Sequence, residues 1–381
     1  MTRMGMLRHI FVAVVGLALG ASGWCRADEP WQVREFKLDW PKPPKSGIHS
    51  MQKSKGKTEE EHKGTTHEFV FSKDGRFVWI TGGPYDHVAR VGLDGKAGFF
   101  STGQGSHPHG IVFDREGQLW VSLEGCGFVV RLDKNGNIDK RIDVRLRVPE
   151  ASQPINTSPH GLGLDPDGKT IWFTGKKTNT VGRTRPDGRV EHFELNTVGA
   201  VPIYLSAGPD GSMWCTELVG NMIAQISPEG KVAEHCICTG NSRPIAIVPS
   251  PDGKFMWFSE EAGNKVARID MKGEVTEYPV PLSQKNVILA GLAFDSDGNL
   301  WTQSYVNQAD PYPDGGDHII RIDKAIHHAP PGDISNVPVT YFKVPSTKTV
   351  MHRIQQGPDR NIWFTELNTD QLGRLTIGGK R

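Results

Sequence analysis

The sequence predicts an all-β protein folded as a seven-bladed β-propeller with four strands in each blade. Two observations lead to this prediction. A tryptophan returns about every 42 residues after a tight turn, and the same strand pattern follows each tryptophan. The 44 glycines and 26 prolines among 381 residues agree with it, because they indicate many turns.

Each repeat begins with two apolar runs around a turn, as expected for a β-hairpin. The second run contains one of seven tryptophans: Trp79, Trp120, Trp172, Trp214, Trp257, Trp301 and Trp363. A third run follows, with a long polar residue among apolar and small ones: Arg90, Arg131, Arg183, Gln225, Arg268, Arg321 and Arg374. Most units continue with a fourth run, as in residues 188–193 and 273–278. Four runs per unit predict four-stranded blades.

The two ends of the chain predict how the ring closes. The seventh unit stops after its third strand, at Leu375 and Thr376, whereas residues 32–38 look like a fourth strand without a blade. Val33 and Phe36 follow the apolar pattern of the other fourth strands. We expect this N-terminal strand to complete the last blade and to cover an edge that would otherwise be open to aggregation.

Residues 1–27 have the pattern of a signal peptide. Arginines precede an apolar run over residues 10–19, and small residues follow at Cys25 and Ala27. The run is too short to span a bilayer, and an uncleaved N-terminal anchor is the alternative. We expect the mature chain to begin near Asp28 and to be periplasmic or secreted.

We expect residues 28–381 to form a single propeller domain with three insertions. Residues 41–64 are rich in lysine, proline and glutamate, as is typical of a mobile loop. Residues 137–158 lengthen the link between blades two and three, and residues 305–338 enlarge blade six. Long loops on a propeller often shape a binding face, and solvated excursions are the alternative.

Charge and cysteine content narrow the classes of partner. Loss of residues 1–27 removes three of the 44 basic residues and none of the 43 acidic ones, which leaves a net charge of −2. This balance points to no nucleic acid and no membrane partner after cleavage, and we expect a monomer acting on a small-molecule or oligomeric substrate. The cysteines after residue 27 form no haem or zinc motif, so we expect buried thiols at Cys126, Cys215, Cys236 and Cys238.

The hairpin of blade two carries the residues best suited to catalysis. If the strands pair around a turn at Glu116 and Gly117, His109 and Glu124 lie opposite each other at the far end. An imidazole that could act as a base would then stand beside a carboxylate that could act as an acid or bind a metal. The sequence contains no nucleophile elbow, phosphate loop or zinc spacing.

One position at the start of each first strand divides the ring into two arcs. It lies eight residues before the last turn residue and holds His67, His109, His160, Ile203, Ile245, Ala290 and His352. Because blades seven, one, two and three are neighbours in a closed ring, the histidines form a continuous arc opposite an apolar one. This arrangement is typical of a site for a substrate with one reactive linkage and an apolar body. We therefore predict that His67, His160 and His352 bind substrate. Inheritance of histidine with the repeat is the alternative.

Glutamates recur near the ends of the second strands. Glu217, Glu260 and Glu366 each stand three residues after their tryptophan, whereas Glu124 stands four after Trp120. We interpret the first three as structural, bonded to neighbouring backbone. The shifted position of Glu124 marks it as the functional candidate.

Several motifs resemble those of the virginiamycin B lyase (streptogramin B lyase) family. They are the segments 159–161, 171–174, 181–183 and 362–366, and the resemblance covers essentially all of residues 31–377 at the level of the repeat. Segments 108–111 and 119–124 are similar to the catalytic blade of that family. The resemblance implies that His109 is the proton acceptor, that Glu124 binds magnesium and that His67 binds substrate. Enzymes of the family are cytoplasmic antibiotic-resistance proteins that open a cyclic depsipeptide.

One metal ligand of the family differs in this chain. The family has a second magnesium-binding glutamate two residues before its catalytic histidine, and this chain has His107 there. Imidazole suits manganese or zinc better than magnesium. On a regular strand His107 and His109 would share a face, so we predict a divalent cation site at Glu124 and His107 that accepts manganese at least as well as magnesium. A loop position for His107, pointing to solvent, is the alternative.

These observations lead to a hypothesis and two alternatives. The first is an exported lyase in which His109 removes an α-proton and a bound cation polarises the adjacent carbonyl, so that an ester or similar oxygen leaves by β-elimination. The second is a propeller hydrolase of lactonase or esterase type. The third is an exported propeller that binds a ligand or protein without catalysis, since a fold does not fix a function.

Overall fold

The computed structural model describes residues 31–42, 65–281, 283–284, 286–309 and 315–378. The predicted signal peptide and most of the predicted insertion at residues 41–64 lie outside these ranges, so both stay predictions. Within the described ranges, no helix is both long and apolar enough to cross a membrane.

The predicted seven-bladed propeller is confirmed. Seven antiparallel four-stranded sheets make up the described part of the chain. Blade one has β2 (Thr66–Phe71), β3 (Phe77–Gly82), β4 (His87–Gly92) and β5 (Ala97–Ser101), and blade two has β6 (Pro108–Phe113), β7 (Leu119–Leu123), β8 (Phe128–Leu132) and β9 (Ile138–Asp143). Blade three has β10 (Pro159–Leu164), β11 (Ile171–Gly175), β12 (Thr180–Thr184) and β13 (Val190–Glu194). Blade four has β14 (Pro202–Ala207), β15 (Met213–Glu217), β16 (Met222–Ile226) and β17 (Val232–Cys236). Blade five has β18 (Pro244–Pro249), β19 (Phe255–Glu260), β20 (Lys265–Asp270) and β21 (Val275–Pro279). Blade six has β22 (Val287–Phe294), β23 (Leu300–Val306), β24 (His318–Ile322) and β25 (Val339–Lys343). Blade seven has β26 (Met351–Gln356), β27 (Ile362–Glu366) and β28 (Gln371–Ile377), completed by β1 (Trp31–Lys37). Short 3₁₀ helices span Gly83–Tyr85 and Lys324–His328.

The N-terminal strand closes the ring as predicted. β1 runs antiparallel to β28, with Val33 opposite Leu375 and Phe36 opposite Leu372. Phe36 is buried and stacks on Trp363 at 5.9 Å between ring centroids. The first strands of neighbouring blades contact one another from β2 round to β26 and back to β2, and so surround a central channel.

The recurring tryptophan and arginine form one structural unit. In blade one Trp79 pairs directly with Arg90 across β3 and β4, and the guanidinium carbon lies 5.5 Å from the ring centroid. The same pairing brings Arg183 to 5.0 Å from Trp172. Such cation–π contacts contribute on the order of 0.5–1 kcal/mol each at partly exposed sites. The two motifs therefore recur together in these blades because the guanidinium packs over the indole ring.

Hydroxyl groups on the second strands join most blades to the next, and in blade six the side-chain amide of Gln303 does so. Ser122 Oγ donates to the carbonyl oxygen of His160 at 2.9 Å and accepts from the backbone N–H of Gly110 at 2.7 Å. In the opposite half of the ring, Ser259 Oγ donates to Ala290 O at 2.7 Å and accepts from Ala246 N at 3.2 Å. Each hydroxyl thereby fixes the first strands of two blades, which is where the predicted site residues stand.

Two expectations about the periphery are corrected. The thiol of Cys215 is buried and that of Cys126 is partly buried, but Cys236 and Cys238 are exposed, because the outer strand β17 and the loop after it face solvent. The segment 137–158 is also more than a link, since it includes the fourth strand of blade two, β9.

Candidate functional site

The four predicted histidines lie side by side at the mouth of the channel. Ring centroids are 3.8 Å apart for His352 and His67, 4.1 Å for His67 and His109, and 3.5 Å for His109 and His160. The corresponding positions across the ring hold Ile203 and two further apolar residues, as the sequence predicted. The polar arc and the apolar arc are therefore both present.

The first strands come close enough for the rings to touch because glycine follows two of the histidines. A Cβ atom on Gly110 would lie 2.5 Å from the carbonyl oxygen of His160, and one on Gly161 would lie 2.3 Å from that of Ile203. A side chain at either position would push neighbouring blades apart. The His-Gly pairs are thus a requirement of the close packing around the channel.

Backbone carbonyls fix the tautomers of two histidines. His109 Nδ1 lies 3.2 Å from His160 O, and His160 Nδ1 lies 3.3 Å from Ile203 O. A carbonyl oxygen only accepts, so each Nδ1 carries the proton and donates it. Nε2 is then the unprotonated nitrogen of both rings, ready to accept a proton or to bind a cation.

The electrostatic surroundings keep these rings neutral. Burial lowers the pKa of His67, His109 and His160 well below the ordinary 6.5. The charge of Lys176 and the neighbouring imidazoles lower the same pKa values further. At neutral pH these three rings therefore act as bases rather than as cations.

Glu124 joins His109 and His160, but by a different route from the one predicted. A β-bulge adds one residue to β6 between Pro108 and Ile111, so Pro108 is opposite Leu123. Glu124 N then donates to His107 O at 3.0 Å. The predicted opposition of His109 and Glu124 is thus wrong in register. Their side chains meet nonetheless, since one ligand atom from each of His109, Glu124 and His160 lies within 4.8 Å of the others.

Lys176 is a site residue that the sequence analysis missed. Its ammonium nitrogen lies 3.2 Å from Glu124 Oε1, with side-chain exposures of 35% and 13% for the two residues. Lys176 stands four residues after Trp172, just as Glu124 stands four after Trp120. This shared offset in adjacent blades was the signal that could have found the pair.

The segment between blades two and three supports Glu124 from the other side. Asn156 Nδ2 donates to Glu124 O at 3.1 Å, and Ser158 Oγ donates to the same oxygen at 3.3 Å. The insertion at residues 137–158 therefore contributes to the site by holding the backbone that carries the carboxylate.

His107 stands before β6, not on it. Its φ is +49°, its N–H donates to Asp86 Oδ1 at 2.9 Å, and its ring packs where a Cβ on Gly83 would lie. The prediction that it shares a strand face with His109 is wrong, because the left-handed backbone redirects its side chain. It lines the same cavity as His109 and Glu124, but it belongs to neither group of metal-ligating atoms found among the described residues. Its role as a ligand stays a prediction.

A second cluster, below the arc, spans the channel. Glu68 is 5% exposed and contacts His352 Nε2 at 3.0 Å, Arg353 Nε at 3.4 Å and the hydroxyl of Tyr204 at 3.2 Å. Burial raises the pKa of this carboxyl, but Arg353 and His352 outweigh burial and lower it overall. The sequence signal was a charged residue after the histidine in blades one and seven, where blades two and three have glycine.

The four histidines of the arc therefore divide into one that pairs with Glu68 and three that line a cavity. His352 donates to Glu68 through Nε2 and is not among the described residues that line the cavity, whereas His67, His109 and His160 line it with Glu124 and Lys176. The cavity holds about 240 Å³.

The other repeat glutamates are structural, but in a way that differs from the prediction. Glu217, Glu260 and Glu366 are fully buried, and burial raises the pKa of each to about 8. The neighbouring fourth-strand glutamates, Glu234, Glu277 and Glu35, raise these pKa values further, and Glu366 Oε2 accepts a hydrogen bond from the side chain of Thr369. A protonated carboxyl can donate to such a partner, so the buried pairs do not repel.

The residues around Glu124 do not fit magnesium. Magnesium takes oxygen ligands in near-octahedral geometry. Glu124 is the one carboxylate among the described residues that line the cavity, its neighbours are imidazoles, and Lys176 already neutralises it. Among the described residues, two His/Glu groupings could hold some metal ion, His67 with Glu68 and His352, and His109 with Glu124 and His160.

Comparison with known proteins identifies the family to which this chain belongs. The model of the virginiamycin B lyase family matches residues 72–310. A virginiamycin B lyase from Nocardia farcinica is 29% identical over 150 residues, which are 39% of this chain and 48% of that protein. The chain thus spans about half the length of the curated relative that it matches.

Solved structures of similar proteins share the fold. A streptogramin B lyase structure superposes with a TM-score of 0.71 at 22% identity, covering 91% of this chain and 98% of the other. A catalytically inactive virginiamycin B lyase variant from Staphylococcus aureus, solved with quinupristin, superposes with a TM-score of 0.70 at 24% identity, covering 92% and 100%.

Proposed function

Because the chain belongs to the virginiamycin B lyase family, we propose that it is a carbon–oxygen lyase that opens an ester or similar linkage by β-elimination. The observation that carries the proposal is the pair of neutral imidazoles, His109 and His160, whose Nδ1 atoms are held by carbonyls beside the Glu124–Lys176 pair.

The reaction needs a base beside an α-proton that is only weakly acidic. His109 lines the cavity and has Nε2 unprotonated, so it accepts that proton. The electrons of the Cα–H bond form the Cα=Cβ double bond, and the Cβ–O bond breaks with its electrons on the departing oxygen. An ester then yields a carboxylate and a conjugated alkene, with no water consumed.

His160 and His67 would orient the base and, because both line the cavity, would also contact the substrate. His160 packs against His109 with ring centroids 3.5 Å apart, and His67 lies 4.1 Å from His109 on the other side. Such packing restricts the base to one orientation, which is the main contribution that positioning residues make.

The test is turnover of quinupristin and of simple cyclic esters by the purified protein, followed by the ultraviolet absorbance of the new alkene. His109→Ala should lower kcat by roughly 10²–10⁴ while leaving the melting temperature near that of wild type. His328→Ala, on an exposed histidine outside the site, is the matched control and should be fully active.

Two outcomes would replace the proposal. A product that has taken up water and contains no alkene would assign a hydrolase of lactonase or esterase type. Binding of these esters by wild type without any turnover would assign a non-catalytic binding propeller.

We also propose that the protein acts in the periplasm or outside the cell, on the strength of the pattern in residues 1–27. A fusion of this segment to a reporter that is active only after export tests the location. A fusion protein that accumulates in the cytoplasm without reporter activity would contradict it.

A further inference from the structure

The ammonium group of Lys176 occupies the place beside Glu124 that a metal ion would need. Ligand atoms of His109, Glu124 and His160 lie within 4.8 Å of one another, and the Lys176 ammonium lies 3.2 Å from Glu124 Oε1. A divalent cation at that oxygen would stand within a few ångströms of a fixed positive charge, and like charges at such a distance repel. The two cations compete for one carboxylate.

We propose that Lys176 is the electrophile of this site and replaces the divalent cation, so that catalysis needs no metal. The inference rests on the proposed function and names a catalytic residue for it. The carboxylate of Glu124 pairs with the lysine ammonium and holds it at the cavity.

The geometry gives the ammonium group enough donors for this task. Lysine has three N–H donors, and one of them is engaged by Glu124 Oε1. The remaining donors can meet the substrate carbonyl as negative charge develops on its oxygen while the α-proton moves to His109. The lysine proton stays on the lysine, so His109 remains the acceptor of the one proton that is transferred.

Manganese binding tests, without any substrate, whether Lys176 occupies the cation position beside Glu124. The EDTA-stripped full chain is titrated with Mn²⁺ and followed by electron paramagnetic resonance. Wild type should bind Mn²⁺ weakly, and Lys176→Met should bind it at least tenfold more tightly, because the carboxylate and both imidazoles are then available. Adding Glu124→Gln to Lys176→Met should abolish the gain. Lys177→Met, on the exposed neighbouring lysine, should behave as wild type.

Turnover tests the catalytic role. Wild-type activity should be the same in EDTA as with added Mg²⁺ or Mn²⁺, which differs from the manganese preference predicted from His107. Lys176→Met should lose roughly 10²-fold or more in kcat with KM changed little, and Lys176→Arg should restore part of the loss. Full activity of Lys176→Met in EDTA would overturn the catalytic role.

The Mn²⁺ titration and the turnover assay distinguish a failure of this inference from a failure of the proposed function. Glu124-dependent Mn²⁺ binding by wild type as tight as that of Lys176→Met would overturn the replacement of the metal, whatever the activity. Absence of turnover by wild type would instead overturn the proposed function and the catalytic role, while the Mn²⁺ titration would still show whether Lys176 occupies the cation position.

Discussion

The two halves of the ring have the same scaffold but present different side chains to the channel. Ser122 and Ser259 make the same pair of hydrogen bonds between blades, one under the histidine arc and one under the apolar arc. Above them stand His160 on one side and Ala290 on the other. Both halves therefore share the scaffold, and the chemistry comes from single residues placed on it.

The glutamates show the same contrast in a sharper form. Glu217 is buried against another glutamate and stabilises a blade, whereas Glu124, one residue further from its tryptophan, reaches the cavity and pairs with Lys176. Glu217 is the last residue of β15, whereas Glu124 follows the last residue of β7 and lies in the turn after the strand. This shift separates a structural acid from a functional one.

The buried ion pair below the histidines should give the largest effect on stability. Arg353→Met leaves Glu68 without its guanidinium partner in a buried position, and breaking such a pair costs on the order of 3 kcal/mol. Urea unfolding at neutral pH measures this free energy. Arg360→Met removes an exposed ion pair with Asp297 and should cost less than about 1 kcal/mol. Equal losses in the two variants would show that the channel cluster contributes nothing special.

Much of this arrangement followed from the sequence, for a physical reason. Blade number, ring closure by β1 and the arc of histidines all depend on a repeat that is local in the chain. Once the ring closes, equivalent positions must be neighbours. Contacts across the channel do not repeat. Tyr204 reaches Glu68 over a separation of 136 residues, and that contact depends on how far each blade turns towards the axis.

Backbone geometry hid the rest of the site. A one-residue bulge in β6 changed the partner of Glu124, and the positive φ of His107 placed that residue before the strand. The bulge recurs in the first strand of every blade, so it belongs to the repeat rather than to this hairpin. The pairing of Lys176 with Glu124 could be read from their common offset, but only when two adjacent blades were compared.

The buried glutamates predict that stability depends on pH. Burial raises the pKa of Glu217 from 4.5 to about 8, so the folded state keeps a proton that the unfolded state has lost between these values. The stabilising contribution is complete below pH 4.5 and is lost as the pH rises towards 8. The slope is about −1.4 kcal/mol per pH unit for each such group as an upper limit.

Glu217→Gln tests this slope because an amide keeps the shape and can still donate to Glu234. Unfolding free energies at pH 5, 6.5 and 8 should fall less steeply than in wild type, and the variant should be the more stable protein at pH 8. Leu218→Ala, next to it and partly buried, should lower stability equally at every pH. An unchanged slope in Glu217→Gln would mean that the carboxyl is already ionised in the folded state.

The smallest expected effects on stability belong to two serine variants, and these variants should best distinguish residues of the scaffold from residues that support the site. Ser122→Ala and Ser259→Ala each remove one donor and one acceptor between blades, and each should cost about 1 kcal/mol, measured by urea unfolding. Of these two serines, Ser122 is the one that holds the strands carrying His109 and His160. Ser122→Ala should therefore also lower kcat several-fold by loosening the base, whereas Ser259→Ala should leave kcat unchanged. A matching loss of activity in Ser259→Ala would mean that the whole ring, rather than the histidine arc, sets the geometry of the site.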